Sequence, residues 1–259
     1  MGKIIAIANQ KGGVGKTTTN VNLSACLAQM GKRVLTVDID PQGNTTSGLG
    51  VDKTSMDRTV YDVLIGECYL QQAIIGTMLP YLDILPSNID LAGAEIELIE
   101  FERREFLLKD ILTQVKYIYD FIVIDCPPSL NMLTINAMTA ADSVLVPIQC
   151  EYYALEGLTQ LLHTIELVQR KLNPTLFIEG VVFTMYDART NLSMEVVEEV
   201  KRHLGKSVYR SIIPRNVRLS EAPSHGVPIT MYDAKSKGSE SYMLLAEEVL
   251  SRYGEGGSL

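Results

Sequence analysis

The chain has no run of about 18 consecutive apolar residues, the length a bilayer-crossing helix requires, so a membrane-spanning protein is not expected. It also shows no charged-then-apolar leader. Met1-Gly2-Lys3 passes straight into the apolar run Ile4 to Ala8, and the expected setting is the cytoplasm. Cysteine is sparse, and Cys26, Cys68, Cys126 and Cys150 lie without metal-ligand spacing, which predicts buried reduced thiols. His163, His203 and His225 are equally isolated, and no metal role is assigned to them. No linker or internal repeat interrupts the 259 residues, 46% of them apolar, so residues 1–259 are expected to form one domain. A basic excess is missing too. The net charge of −8 argues against a nucleic-acid partner for the chain as a whole. Its distribution qualifies that: residues 1–169 hold 11 Lys and Arg against 20 Asp and Glu, whereas residues 170–259 hold 12 against 11. The last third can therefore carry a local basic face.

What the sequence does contain begins at Gln10-Lys11-Gly12-Gly13-Val14-Gly15-Lys16-Thr17-Thr18, which follows an apolar run and opens an amphipathic helical pattern. Strand, glycine loop and helix in this order form a phosphate cradle. The glycines let backbone N–H groups turn inward, and the positive end of the helix dipole points at the same place. Lys16 is positioned to reach the β and γ phosphates of a nucleotide, and the Thr17 hydroxyl to ligate magnesium. The loop departs from the usual G-x-x-x-x-G-K-[ST] pattern by placing Gln10 where a glycine is expected and by adding an early lysine, Lys11.

Lys3 to Asn9 reads as a buried strand, Thr17 to Met30 as a helix stopped by Gly31, and Arg33 to Asp38 as a second strand. Apolar runs recur at Leu82 to Leu85, Phe121 to Ile124, Ser143 to Pro147 and Phe177 to Thr184. Helical patterns separate most of them, among them one running to about Lys171 with Leu158, Leu161, Leu162, Ile165 and Val168 on one face. This is the pattern of an α/β fold with a doubly wound, mostly parallel sheet flanked by helices, of the P-loop NTPase type. In such sheets ligands bind at the carboxyl ends of the strands. Asp38 and Asp40 close the second strand there, and Asp125 ends the run Phe121-Ile122-Val123-Ile124 in the form of a Walker B strand, where it would hold magnesium opposite Thr17. The hydroxyl-rich stretch Thr45 to Gly50 reads as a switch loop. Ile213-Pro214-Arg215-Asn216-Val217 reads, by spacing alone, only as a turn.

The string Lys11-Gly12-Gly13-Val14-Gly15-Lys16-Thr17-Thr18 resembles the deviant Walker A loop of the ParA/MinD ATPases. With Asp38 to Gly50, Asp125 to Leu130, Gln149 to Gly157 and Arg215 to Gly226, the chain is similar over nearly its whole length to the ParA/Soj-type chromosome-partitioning ATPases. The resemblance implies that Lys11 crosses a nucleotide-sandwich homodimer to the partner's phosphates, that Asp40 positions the attacking water, and that Asp38 supports the magnesium shell. Pro214 would lie against adenine and Asn216 would hydrogen-bond it. ATP and Mg2+ are the implied cofactors. The implied cycle is ATP-driven dimerisation, sequence-independent binding of double-stranded DNA over the nucleoid, and release when a ParB-type centromere-binding protein triggers otherwise slow hydrolysis. Arg189 and Arg218 match the family's DNA-contacting arginines, with Lys201, Arg202, Lys206, Lys235 and Lys237 as further surface cations. No N-terminal helix-turn-helix is expected, because the chain starts at the first strand.

Three other readings stay open. A MinD-like division-site ATPase would need a basic amphipathic C-terminus, whereas Leu244 to Tyr253 carries Glu247 and Glu248 and leads into a glycine-rich tail, so membrane docking is not expected. An electron carrier of the nitrogenase iron-protein type would need a second cysteine matched to Cys126. A non-catalytic adaptor that holds ATP as a structural element is compatible with every residue named.

Overall fold

The computed structural model describes residues 1–151 and 154–255. Its strands are β1 (Lys3–Ile7), β2 (Val34–Asp38), β3 (Ile75–Gly76), β4 (Leu82–Leu85), β5 (Phe121–Asp125), β6 (Ser143–Gln149), β7 (Phe177–Tyr186) and β8 (Val208–Pro214). They form one sheet in the order β3-β4-β2-β5-β1-β6-β7-β8, in which only the short β3 pairs antiparallel. The helices are α1 (Lys16–Gln29), α2 (Asn44–Gly48), α3 (Val60–Leu64), α4 (Leu70–Ala73), α5 (Leu91–Glu97), α6 (Leu107–Thr113), α7 (Met132–Ala140), α8 (Ala154–Lys171), α9 (Asn191–Leu204), α10 (Val217–Glu221), α11 (Ile229–Tyr232) and α12 (Lys237–Glu255).

The continuous apolar strands are explained by helices on both faces. Alternation along β1 sends Ile4 and Ala6 into one core with α5 to α9, and Ile5 and Ile7 into a second core with α1, α11 and α12. The doubly wound, mostly parallel sheet expected from the apolar runs is the one observed. Helix α1 ends where Gly31 adopts a left-handed φ of 77°, its N–H bonded to the Ala28 carbonyl at 2.9 Å. The face of α8 read from spacing is buried through Leu158, Leu161, Ile165 and Val168.

Two strands run past their apolar patterns, β6 to Gln149 and β7 to Tyr186, since ladder hydrogen bonds continue through polar residues. The stretch Thr45 to Gly50, expected as a loop, is largely the helix α2. Its first turn hangs on Asp38, whose Oδ2 accepts from both the Thr46 N–H and the Thr46 hydroxyl at 2.8 Å. The parallel register brings the carboxyl ends of β1, β2 and β5 together. Ile7 and Asp38 each stand opposite Asp125.

Candidate nucleotide site

The loop between β1 and α1 is held at both ends. Asn9 donates to the Pro147 carbonyl at 2.8 Å and accepts the Lys11 N–H at 3.0 Å, and Thr184 donates to the Val14 carbonyl at 2.8 Å. Gly13 and Gly15 sit at φ 74° and 86°, a region closed to most side chains, so the turn of the loop requires glycine at both positions. Gln10, at the position where the usual pattern has glycine, bonds Gln160 of α8 at 2.6 Å and ties the loop to that helix. Lys16 is buried and its ammonium donates to the Lys11 carbonyl at 3.0 Å. Burial lowers the pKa of Lys16, and the nearby Asp125, Cys126 and Asp40 oppose the shift.

Asp125 is fully buried. Its Oδ2 accepts the Thr45 hydroxyl at 2.8 Å, and its Oδ1 is a buried oxygen with no protein donor. Burial and the adjacent Asp38 push its pKa well up, against the hydroxyls of Thr17 and Thr45. Asp38 is also raised by burial, and its hydrogen bonds to Thr46 and to the Asp40 N–H work the other way. The orphaned Asp125 oxygen beside the Thr17 and Thr45 hydroxyls is a hard-oxygen donor set of the kind that Mg2+ takes with phosphate and water. Asp38 is differently placed. Both its oxygens are occupied by backbone or hydroxyl donors, so its visible work is to shape residues 40–46. Asp40 is buried, and its carbonyl accepts the Ser87 hydroxyl at 2.8 Å. In the sequence Thr45 reads only as part of a hydroxyl-rich switch loop, without its bond to Asp125, and Ser87 is not read at all.

Beside the loop a cavity of about 360 Å³ is lined by Gly15 and Thr18 on one side and Pro214, Arg215 and Asn216 on the other. Residues nearly 200 positions apart in the chain thus enclose one space, which spacing alone had left as a turn. Met185, with a left-handed φ of 48°, also lines it, at the register irregularity of β7 between Phe183 and Tyr186. The Asn216 side-chain oxygen caps α10 through the Arg218 N–H at 2.8 Å, leaving its amide N–H2 as the available donor.

Lys11 goes elsewhere. Its ammonium is ion-paired with Glu151, near a second cavity of about 510 Å³ lined by Gln10, Ser129, Leu130, Glu156 and Gln160. Within the string Gln149 to Gly157, Tyr152 and Tyr153 lie outside the described residues, as does the tail Gly256-Gly257-Ser258-Leu259. Cys126 is buried beside Lys16, and burial raises its thiol far above the ordinary range.

The arginines read as DNA contacts follow β7 and β8 in the chain, and neither lines the 360 Å³ cavity. Arg189, just beyond β7, is bidentate to Asp187 at 2.8 and 2.6 Å, and Arg218 on α10 pairs with Glu221 at 2.8 Å. Arg202 pairs with Glu199 and Lys237 with Glu240, while Lys201, Lys206 and Lys235 are exposed. Among the described residues no helix is long and apolar enough to cross a membrane.

A family model described as an AAA domain matches residues 2–178. The sporulation initiation inhibitor protein Soj of Bacillus subtilis is 62% identical over 249 residues, covering 96% of this chain and 98% of its own length. The chromosome partitioning protein ParA of Caulobacter vibrioides is 56% identical over 252 residues, covering 96% and 94%. Among solved structures, cobyrinic acid a,c-diamide synthase from Mycobacterium smegmatis with bound ADP and magnesium is similar at a TM-score of 0.88 and 40% identity, covering 99% of this chain and 97% of that one. The septum site-determining protein MinD from Pyrococcus horikoshii, complexed with Mg-ADP, gives a TM-score of 0.82 at 30% identity, with both chains fully covered.

Proposed function

The chain belongs to the Soj and ParA family of chromosome-partitioning ATPases, and from that premise we propose that residues 1–259 work as one ATP-driven switch that binds and releases DNA. ATP with magnesium fills the loop, two copies close face to face, the closed homodimer holds double-stranded DNA without sequence preference, and a ParB-type partner triggers hydrolysis and release. The observation that supports this reading best is the divergence of two lysines from one loop. Lys16 is buried beside Asp40 and Asp125, where a nucleotide's phosphates would lie, whereas Lys11 reaches out of the site to Glu151.

In this reading the loop amides and Lys16 bind the phosphates, and Lys16 exchanges the Lys11 carbonyl for phosphate oxygens. Asp125 and Thr17 would hold the magnesium ion, which supplies charge neutralisation at the β and γ phosphates. Asp40 orients the attacking water, and Asp38 fixes the segment that carries Asp40. Pro214 packs on the base and the Asn216 amide donates to it. Lys11, arriving from the second subunit, completes the charge compensation, so hydrolysis waits for dimerisation. Little covalent work is asked of the protein, consistent with a slow basal rate.

Arg189 and Arg218 contact DNA phosphates, and the protein is held on the nucleoid. A membrane-docked division-site ATPase is the second reading, supported by the MinD likeness, but the 56% identity to the chromosome partitioning protein ParA favours partitioning. Hydrolysis measured with duplex DNA and a ParB-type protein, alongside light scattering with and without ATP, tests the proposal. A chain that stays monomeric and unstimulated would refute it.

A further inference from the structure

The segment 89–100, which is helix α5 with the turn before it and the 3-10 turn Leu98–Glu100 after it, is apolar on two opposite faces, and only one of them is covered. Leu91, Ala94 and Leu98 are buried in the core. Ala92 and Ile96 lie on the opposite side of α5 at 100° per residue, and Ile89 in the turn before it and Ile99 in the 3-10 turn after it are exposed with them. The turn that begins the helix already bonds the Ala92 N–H to the Ile89 carbonyl at 3.0 Å, so Ile89 belongs to the same face. These isoleucines are 65%, 74% and 61% exposed. A helix needs one apolar face to fold, and a second, uncovered one has no folding role.

The surroundings specify what would cover it. Residues 89–105 hold six carboxylates against two arginines. Among the described residues no cation pairs with Asp90, Glu95, Glu97, Glu100 or Glu102, while Arg103 and Arg104 pair with Asp110 and Glu105. A row of isoleucines edged by unneutralised acids is complementary to a cationic segment with its own apolar face and repels DNA. The stripe is also wired to the site. Two residues before Ile89, Ser87 bonds the Asp40 carbonyl at 2.8 Å and the Thr46 hydroxyl at 2.9 Å. One residue before Ile96, Glu95 is bonded by Asn131, which caps α7 just after the Asp125 to Leu130 segment.

We propose that Ile89, Ile96 and Ile99, with the acids around them, form the docking surface for a cationic, apolar-faced segment of the protein that stimulates hydrolysis. The inference rests on the reading that a ParB-type partner does so. Pressure on α5 would move Ser87 and Asn131, and so bear on Asp40 and on the segment after Asp125.

The test uses the full chain with the non-hydrolysable analogue AMP-PNP and a fluorescently labelled ParB-type protein, read by anisotropy, with stimulated ATPase in parallel. Ile96→Ser with Ile99→Ser should weaken partner binding about tenfold or more. Glu100→Lys with Glu102→Lys should do the same and flatten its salt dependence. Basal hydrolysis and thermal midpoint should stay at the wild-type values in both. If wild type binds and both variants bind with the same Kd, the surface is wrong. If the variants instead shift ATP-dependent dimerisation, the stripe belongs to a contact between copies, which equally overturns it. If the wild-type chain neither binds nor responds, the partner cycle fails and the surface with it.

Discussion

Asp38 and Asp125 stand opposite one another in register on adjacent parallel strands, both fully buried, at the mouth of the phosphate loop. Burial raises the pKa of each, and Asp38 also raises that of Asp125. A carboxyl whose folded pKa is raised keeps a proton that the unfolded chain releases. The pair therefore costs stability as pH climbs from the ordinary carboxylate range through the raised values. The ligand-free protein should lose thermal stability over that interval, and Mg-ATP should restore it. Asp125→Asn should raise the ligand-free melting temperature by a few degrees, corresponding to about 1–2 kcal/mol, and abolish the extra stabilisation that magnesium gives with ATP. Calorimetry across pH, with and without Mg-ATP, checks both signs.

Glu151 holds Lys11 in the ligand-free chain. The pair is partly exposed, so releasing it is worth at most about 1 kcal/mol. Glu151→Gln should lower the ATP concentration at which dimers form, by about two- to fivefold, as read by light scattering. An unchanged or raised midpoint would mean that the ion pair does not restrain Lys11.

Lys16→Ala should remove nucleotide binding by about two orders of magnitude, because the ammonium is the buried positive charge closest to Asp40 and Asp125. Isothermal titration with ATP and magnesium reads this directly. Pro214→Gly should weaken adenine nucleotides while leaving inorganic triphosphate binding unchanged, since Pro214 lines the cavity on the side away from the loop glycines.

Arg189→Ala and Arg218→Ala should each reduce retention on random duplex DNA and lower its salt dependence, with ATP-dependent dimers intact. Both guanidiniums are carboxylate-bound in the free chain, Arg189 to Asp187 and Arg218 to Glu221. Asp187→Ala should therefore tighten DNA binding by freeing Arg189. Filter binding over a salt series distinguishes these outcomes, and an Asp187→Ala variant that binds no better would argue that Arg189 does not face DNA.

The order of strands and helices was legible because buried parallel strands write themselves as unbroken apolar runs, and Gly31 and the 12–18 loop punctuate them chemically. The phosphate loop and the strand-end acids were legible for the same reason. What sequence left open was convergence over long separations. That Pro214 and Asn216 close on Gly15 and Thr18 depends on β8 being placed outside β7, which no local pattern encodes. The Thr45 to Asp125 bond, Ser87 on the Asp40 carbonyl, and Glu151 on Lys11 are contacts between residues far apart in sequence that only the assembled sheet brings together. The helix α2 was hidden because its nucleating bonds come from Asp38, at the end of the strand before it.

The decisive measurement concerns Lys11 acting across the dimer. Lys11→Ala and Asp40→Ala chains are each expected to be inactive. Mixed in equal amounts before ATP is added, half of the dimers should be mixed, and each of those has one site with an intact Asp40 facing an intact Lys11. Hydrolysis should recover to about a quarter of the wild-type rate. A mixture that dimerises by light scattering yet hydrolyses no faster than either parent would contradict the exchange of Lys11 between subunits.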